Sequence, residues 1–453
     1  VRGLALRIPA VRQIKIGFAA LLLTLLALWM LSDTTTLAPV SAMGIRTPMV
    51  NLTGVLAMGA MSVAMILAIR PESFESLLNG LDKMYRLHKW LGVTGAGLAL
   101  AHLAFVDLPQ LLEAMGASMP SPHRGGARAT VEGFAGVLFA QRHAAESVGM
   151  LALVALLALV AVALIRQVPY RLFVWTHRLL AVVYLALVYH AVVLLPVEYW
   201  RAALGVPFGL LLAGGVAGAV LSLVRRVGYV RRTVGTVTAV VPHADNRVLE
   251  VAVRLAGRWP GHAAGQFAFV SFDRSEGPHP FTITSAWEGD GALRFLIKEL
   301  GDYTRRLPGL LHTGDTVRVE GPYGRFVFDG GLQHQIWVGG GIGITPFVAR
   351  MEQLAGHRDG RHVDLFYATR EPDAAFIALI TRIARDAKVR LHVIVEATDG
   401  LLDAARIRAL VPEWRAADLW FCGPTRFGGA LRAGFMTSGM RSEDFHQELF
   451  SMR

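Results

Sequence analysis

Four of the chain's fifteen histidines, His88, His102, His177 and His190, fall in or at the ends of strongly apolar stretches. A polar, metal-competent side chain is costly inside a membrane span and is a functional candidate there. His88 and His102 share one stretch, and His177 and His190 share another that runs in the same direction. That arrangement gives two levels with two imidazoles each, which is what two bis-histidine b-type haems stacked across a bilayer require. Neutral imidazoles fill both axial positions without adding buried charge. On an ideal helix the step from His88 to His102 falls about 40° short of four turns, so the two share a face. The step from His177 to His190 leaves about 140°, so the second stretch should deviate locally or present its sites at different angles. Any one of these residues alone reads as an interfacial or hydrogen-bonded histidine, whereas the quartet, matched in depth, reads as metal ligands. Tyr184, midway between His177 and His190, reads as a packing or helix–helix hydrogen-bonding residue.

The elements that must hold these side chains are hydrophobic. The chain has 453 residues, 53% hydrophobic and 17% charged, and its mean hydropathy of +0.45 is that of a protein partly in a membrane. Six apolar runs, at 14–32, 50–69, 88–106, 147–165, 173–195 and 203–224, approach the ~20 residues that cross a bilayer, and none follows Arg225. Arg2, Arg7, Arg12 and Lys15 precede the first run as in a signal peptide, but that run is long and lacks a small-x-small cleavage site. Alternate connections carry fifteen Lys and Arg on one side and five on the other. The basic side should be cytoplasmic, which puts the N-terminus and the C-terminal half inside. Much of the net charge of +11 is thereby assigned to the membrane surface and its lipid rather than to nucleic acid. The single cysteine, Cys422, excludes an intrachain disulfide, a thiolate-held iron–sulfur cluster, a cysteine-rich zinc site and C-x-x-C-H haem attachment.

Beyond residue 226 the texture changes. Short alternating runs at 234–241, 247–254, 266–272, 281–285, 293–299 and 316–320 suggest a small antiparallel β-barrel over 227–332. It contains His279-Pro280-Phe281-Thr282-Ile283-Thr284, then a segment from Lys298 through Gly301 to Thr304 that opens a helix whose free N–H groups suit a pyrophosphate. Glycine and threonine also cap ordinary helices. From 333 to 453 strands and helices alternate: strands 335–338, 363–369, 390–396 and 418–421, helices 345–355, 373–386, 403–410 and 426–437. That is a doubly wound α/β domain. Its first strand enters Gly339-Gly340-Gly341-Ile342-Gly343-Ile344-Thr345-Pro346, where backbone can approach a dinucleotide phosphate.

The soluble motifs, with Cys422-Gly423-Pro424 beyond them, resemble the flavin and nicotinamide domains of the ferredoxin-NADP reductase type. With the histidine quartet ahead of them, nearly the whole chain resembles the NADPH oxidase and ferric reductase superfamily. The resemblance implies three domains: a six-helix transmembrane di-haem bundle (1–226), an FAD-binding barrel (227–332) and a nucleotide-binding α/β domain (333–453). It implies that His279 to Thr284 lie along the FAD with Thr282 near the reactive edge, and that Lys298 and Gly301 to Thr304 serve the pyrophosphate. It also implies that Gly339, Gly340, Gly341, Gly343 and Thr345 bind the nicotinamide nucleotide, and that Cys422, Gly423 and Pro424 sit where hydride leaves. Arg370 matches the position of a cation for the 2′-phosphate of NADPH, with Glu371 beside it. NADPH is the expected nucleotide and NADH the alternative. Phe450, in Glu448-Leu449-Phe450, matches an aromatic that covers the flavin, although three residues follow it here.

Oxygen-reducing relatives often place a histidine four residues after the outer ligand, near a basic residue; counted from His102, that position is Val106, and Arg46 is the basic candidate. The long connection 107–145, with His123, Arg124, Arg128, Arg142 and His143, is a solvated loop by default, with a cap over the outer haem as the alternative. The implied activity is an NAD(P)H oxidase or ferric reductase in a bacterial inner membrane. It would pass electrons from cytoplasmic nucleotide through FAD and two haems to oxygen or a ferric chelate outside. A reductase feeding a periplasmic protein or a quinone is one alternative, and a haem-free receptor or channel with a vestigial reductase is another.

Overall fold

A computed structural model describes residues 10–33, 42–78, 80–115, 134–165, 167–273 and 276–448. They form two compact units, Ala10–Leu78 with Lys83–Val227, and a second from Gly228 onward.

The first unit is helical: α1 (Ala10–Met30), α2 (Ala42–Ala68), short α3 (Glu72–Leu77), α4 (Leu81–Val106), short α5 (Leu108–Ala114), α6 (Phe134–Leu164), α7 (Tyr170–Leu194), short α8 (Val197–Arg201) and α9 (Gly205–Leu223). Among the described residues five helices are long and apolar enough to span a membrane: Gly44–Ala68, Leu81–Val106, Gly136–Leu164, Tyr170–Leu194 and Gly205–Leu223. This corrects the expectation of six. The first apolar run forms α1, whose described apolar part is the shorter Ile14–Met30.

Large apolar side chains cover the outside of this unit, as Leu151 and Leu210 do at 73% and 70% exposure. Leu25, Trp29, Met58, Met61, Leu156, Leu187, Phe208 and Leu212 fill the inside. Small residues let the helices approach: a Cβ at Gly218 on α9 would lie 2.5 Å from the Met65 carbonyl oxygen on α2.

In the second unit β1 (Arg232–His243), β2 (Val248–Leu255), β3 (Phe267–Ser271), β4 (His279–Thr282), β5 (Ala292–Lys298) and β6 (Thr316–Tyr323) form an antiparallel sheet in the order β4-β3-β6-β1-β2-β5. α10 (Asp302–Leu310) follows β5. Alternate residues of β2, Leu249, Val251 and Val253, face a core with Phe295, Val317 and Val319. Among the described residues no continuous ladder closes this sheet into the expected barrel. The outer strands meet at one isolated bridge, Ile283 to Phe295, because β4 has only four residues and its Pro280 has no N–H for a second ladder.

The α/β domain has strands β7 (His334–Gly340), β8 (His362–Thr369), β9 (Arg390–Val395), β10 (Ala417–Cys422) and β11 (Phe445–Gln447), all parallel in the order β11-β10-β7-β8-β9. Its helices are α11 (Thr345–Gly356), α12 (Ala374–Ala387), short α13 (Glu396–Asp399), α14 (Ala404–Leu410) and α15 (Thr425–Thr437). Strand side chains alternate between two cores: Trp337 and Leu365 join Phe347 and Ile380, whereas Ile336 and Phe366 join Ile407 and Phe435. Asp373 and Asp403 start α12 and α14 by accepting the N–H groups of Phe376 and Arg406, each at 2.8 Å.

Candidate functional site

The four helical histidines meet in two pairs, one member from α4 and one from α7 in each. The ring centroids of His88 and His177 are 5.8 Å apart at an interplanar angle of 63°, and those of His102 and His190 are 6.2 Å apart at 78°. An imidazole nitrogen binds a metal at about 2 Å, so two rings facing one ion should have centroids about 6 Å apart. Both pairs have that separation. α7 runs unbroken from Tyr170 to Leu194, so no local break of the helix accompanies the step of about 140° between its two histidines. His177 stacks on Phe173 of its own helix at 5.0 Å, whereas His190 turns to α6.

Backbone carbonyls hold three of these rings. His88 Nδ1 donates to Ala64 O at 2.9 Å and His102 Nδ1 to Val50 O at 2.9 Å, both on α2, and His190 Nδ1 donates to Ala145 O at 2.8 Å on α6. A carbonyl only accepts, so Nδ1 carries the hydrogen and Nε2 of the neutral ring keeps a free lone pair. That is the tautomer and orientation a ligating histidine needs. His177 Nδ1 is buried without a hydrogen-bond partner. The donor set fits haem iron, which takes two axial imidazoles, and no group of three or more His, Cys, Asp or Glu competes for a metal among the described residues.

Two glycines complete these pockets. A Cβ at Gly149 would stand 2.0 Å from His190 Nδ1, and one at Gly54 would stand 3.3 Å from His102. Neither was singled out in the sequence, where glycines within an apolar run look like ordinary helix packing. Tyr184 bonds Ser62 Oγ at 2.8 Å, tying α7 to α2 as its sequence reading anticipated. Arg46 donates to the Val106 carbonyl at 2.7 and 3.2 Å, so the basic candidate does reach the Val106 position. His123, Arg124 and Arg128 lie outside the described residues.

In the second unit the segment from His279 to Thr284 is β4 and its continuation. β4 is an edge strand, so its outer backbone and side chains are free of a neighbouring ladder. His279 stacks on Tyr303 of α10 at 4.6 Å and on Phe281 at 6.3 Å, which joins the two sequence motifs into one surface. Burial lowers the His279 pKa to about 4, against the pull of Asp302, so the ring is neutral near pH 7. Thr282 and Thr284 are buried.

Thr304 Oγ1 accepts the N–H groups of Leu300 and Gly301, each at 3.0 Å. It is therefore the cap of its own helix, and the space beside Gly301 Cα is open. Lys298, expected beside these residues, points elsewhere: its amine donates to Glu371 at 2.5 Å and to the Asn246 carbonyl at 2.9 Å.

The glycine-rich turn and Cys422-Gly423-Pro424 come together at the carboxyl ends of β7 and β10, which pair in register from His334 with Ala417 to Gly339 with Cys422. This is where the strand order reverses, the position at which open α/β sheets bind ligands. The four glycines have different tasks. A Cβ at Gly343 would lie 2.2 Å from the Cys422 carbonyl oxygen, at Gly340 2.8 Å from Pro424, and at Gly339 3.0 Å from Ile344 Cα. These three allow the turn to close. Gly341 faces open space at φ +55°, a conformation that favours glycine, and is the one free to lie beneath a ligand. Thr345 is buried and donates to the Ile342 carbonyl at 3.1 Å.

Cys422 is fully buried, and burial, reinforced by the Glu448 carboxylate, raises its thiol pKa well above the usual value. It is a neutral packing group at the site rather than a thiolate. Glu448 was not expected there. Phe450 lies outside the described residues. Arg370 follows β8 and its Nε donates to Glu396 at 2.5 Å, while Glu371 takes Lys298 and Arg247.

Residues 53–188 match the family described as ferric reductase like transmembrane component, and residues 234–327 match the FAD-binding domain family. The flavohemoprotein of Bordetella pertussis is 28% identical over 222 residues, 43% of this chain and 54% of that protein. The reductase subunit of stachydrine N-demethylase from Rhizobium meliloti is 26% identical over 228 residues, 46% of this chain and 64% of that one. The solved structure of the cytochrome P450 reductase GcoB from Amycolatopsis aligns with a TM-score of 0.43 and 23% identity, covering 49% of this chain and 70% of its own. The chain thus spans between half and two thirds of the length of these two curated relatives.

Proposed function

We propose that this chain, which has the NADPH oxidase and ferric reductase architecture of a ferric reductase like transmembrane domain followed by an FAD-binding domain, carries electrons from cytoplasmic NAD(P)H through FAD and two b-type haems to oxygen or a ferric chelate on the far side of the membrane. The observation that carries this reading is the geometry of the two histidine pairs, each at the ring separation one iron needs and both on the same two helices. When bound, FAD accepts the two electrons of a hydride and releases them singly to haem iron, whose filled axial positions suit electron relay.

The chain's own residues supply position. His88 with His177 and His102 with His190 would hold the two haems, and carbonyls on α2 and α6 aim three of the four rings. The free edge of β4 and the N-terminus of α10 would seat the flavin, with neutral His279 stacked between Phe281 and Tyr303. The reversal point between β7 and β10 would take the nicotinamide nucleotide, its phosphates over Gly341 and its reactive end toward the buried Cys422 thiol. The excess of basic residues on one set of connections supports a cytoplasmic soluble unit.

The test is anaerobic spectroscopy of the purified full-length protein. It should show two low-spin b-type haems and one FAD, all reduced on adding NADH or NADPH, and oxygen or ferric citrate should then reoxidise the haems. Protein without a haem spectrum, or with haems that the nucleotide leaves oxidised, defeats the proposal.

A further inference from the structure

With phosphates over the glycine turn after β7, the adenosine ribose of a nucleotide falls across the carboxyl ends of the next strands, where an acid receives a 2′-hydroxyl or a cation receives a 2′-phosphate. Arg370 follows β8 and Glu396 follows β9, and the Arg370 Nε to Glu396 Oε2 distance is 2.5 Å. Both are reachable, at 79% and 37% side-chain exposure. Glu371, the acid adjacent to Arg370 in sequence, faces the other way and takes Lys298 and Arg247 from the flavin domain. Lys298 and Arg247 share Glu371, Arg370 has Glu396, and Arg406 donates to the Asp399 carbonyl at 2.6 Å. Asp399, three residues beyond Glu396, adds another acid whose carboxylate accepts the Val395 N–H at 2.8 Å.

We propose that Glu396 selects the coenzyme, receiving the ribose hydroxyls of NADH and disfavouring the 2′-phosphate of NADPH. The inference rests on the reading of this domain as a pyridine-nucleotide site, and it reverses the expectation that Arg370 raised. A 2′-phosphate carries a charge of roughly −1.5 to −2. To reach the Arg370 guanidinium it must displace Glu396, which leaves a carboxylate beside the phosphate with no cation of its own. A 2′-hydroxyl brings no charge and can donate a hydrogen bond to the same carboxylate. An exposed ion pair contributes little to folding, so selection depends on where the negative charge stands rather than on the strength of the pair.

The experiment uses the full-length protein in detergent and has two arms. The first measures anaerobic flavin reduction by NADH and by NADPH. The second measures binding of 5′-AMP and of adenosine 2′,5′-bisphosphate to the oxidised protein. The native protein should favour NADH and 5′-AMP by about tenfold, and Glu396→Gln should move both ratios about tenfold toward the 2′-phosphorylated ligand. Adding Arg370→Met to Glu396→Gln should erase that gain, because the freed guanidinium is its source. A native preference for NADPH and the bisphosphate, or ratios that Glu396→Gln leaves within about twofold, overturns the proposal. If neither dinucleotide reduces the flavin, the functional reading fails, and the binding arm still decides the role of Glu396.

Discussion

Gly149→Ala is the sharpest perturbation of the membrane site, because it adds one methyl group and removes nothing. That methyl would stand 2.0 Å from His190 Nδ1 and 2.4 Å from its Cε1. An ordinary contact begins near 3.4 Å, so the ring must retreat by about 1.4 Å, several times the ~0.2 Å tolerance of a metal–ligand bond. The retreat also breaks the 2.8 Å bond to the Ala145 carbonyl that aims the ring, and loss of such an orienting partner alone typically weakens metal binding about 10- to 100-fold. The expected outcome is a fall from two haems toward one per chain, with the remaining spectrum that of the His88–His177 site. Haem content by pyridine haemochrome measures it, and an unchanged flavin content shows that the chain has folded. Gly54→Ala approaches His102 at 3.3 Å, within reach of a small adjustment, and Gly97→Ala meets nothing within 4 Å. The order of effect should be Gly149, then Gly54, then Gly97. A Gly149→Ala protein with two haems and a native spectrum, or a Gly54→Ala protein that loses more haem than it does, refutes the assignment.

Further expectations concern other parts of the chain. His102→Leu should spare NAD(P)H-driven flavin reduction but stop reduction of the external acceptor, checked by stopped-flow absorbance beside ferric reduction in sealed vesicles. The His279 pKa of about 4 lies below its ordinary 6.5. The unfolded chain therefore takes a proton in that window and the folded one does not, so stability is intact above pH 6.5 and falls by up to about 3 kcal/mol as pH drops toward 4. His279→Phe should flatten that slope in thermal unfolding followed by flavin fluorescence. Cys422, the sole cysteine, should give no reaction with a disulfide reagent in the native protein and one thiol per chain in denaturant. Asp373→Ala removes the cap of α12 and should cost about 1 kcal/mol, seen as a lower unfolding midpoint with unchanged haem content.

The sequence shows most of the soluble unit, because its signals are local. The alternation of strands and helices placed β7 through β10, and the glycine-rich turn marked where α11 begins. It did not show β11, whose three residues exist as a strand through their pairing with β10, where His446 stacks on Trp420 at 4.0 Å. Barrel closure depends on contacts between strands distant in sequence, here the single bridge from Ile283 to Phe295. In the membrane unit residue type singled out the four histidines that meet in two pairs, whereas the neighbours each ring turns to have no sequence signature. Adjacency in sequence does not pair Arg370 with Glu371. Successive residues past a strand turn opposite ways, so Glu371 faces the flavin domain and the true partner comes from the next strand, 26 positions on.

The two carbonyls that aim the α4 histidines belong to one helix. Val50 and Ala64 on α2 are separated by the same number of residues as His102 and His88 on α4. α2 thus acts as a ruler laid against the ligand helix, and its marks are peptide oxygens. No substitution at Val50 or Ala64 can delete an oxygen that every residue carries, so a side-chain change that the packing accepts leaves both rings aimed. An insertion or deletion between them would shift one mark against the other and spoil one site while leaving its neighbour intact. Lineages of such chains should therefore tolerate many replacements along α2 but hold its length between the two marks fixed.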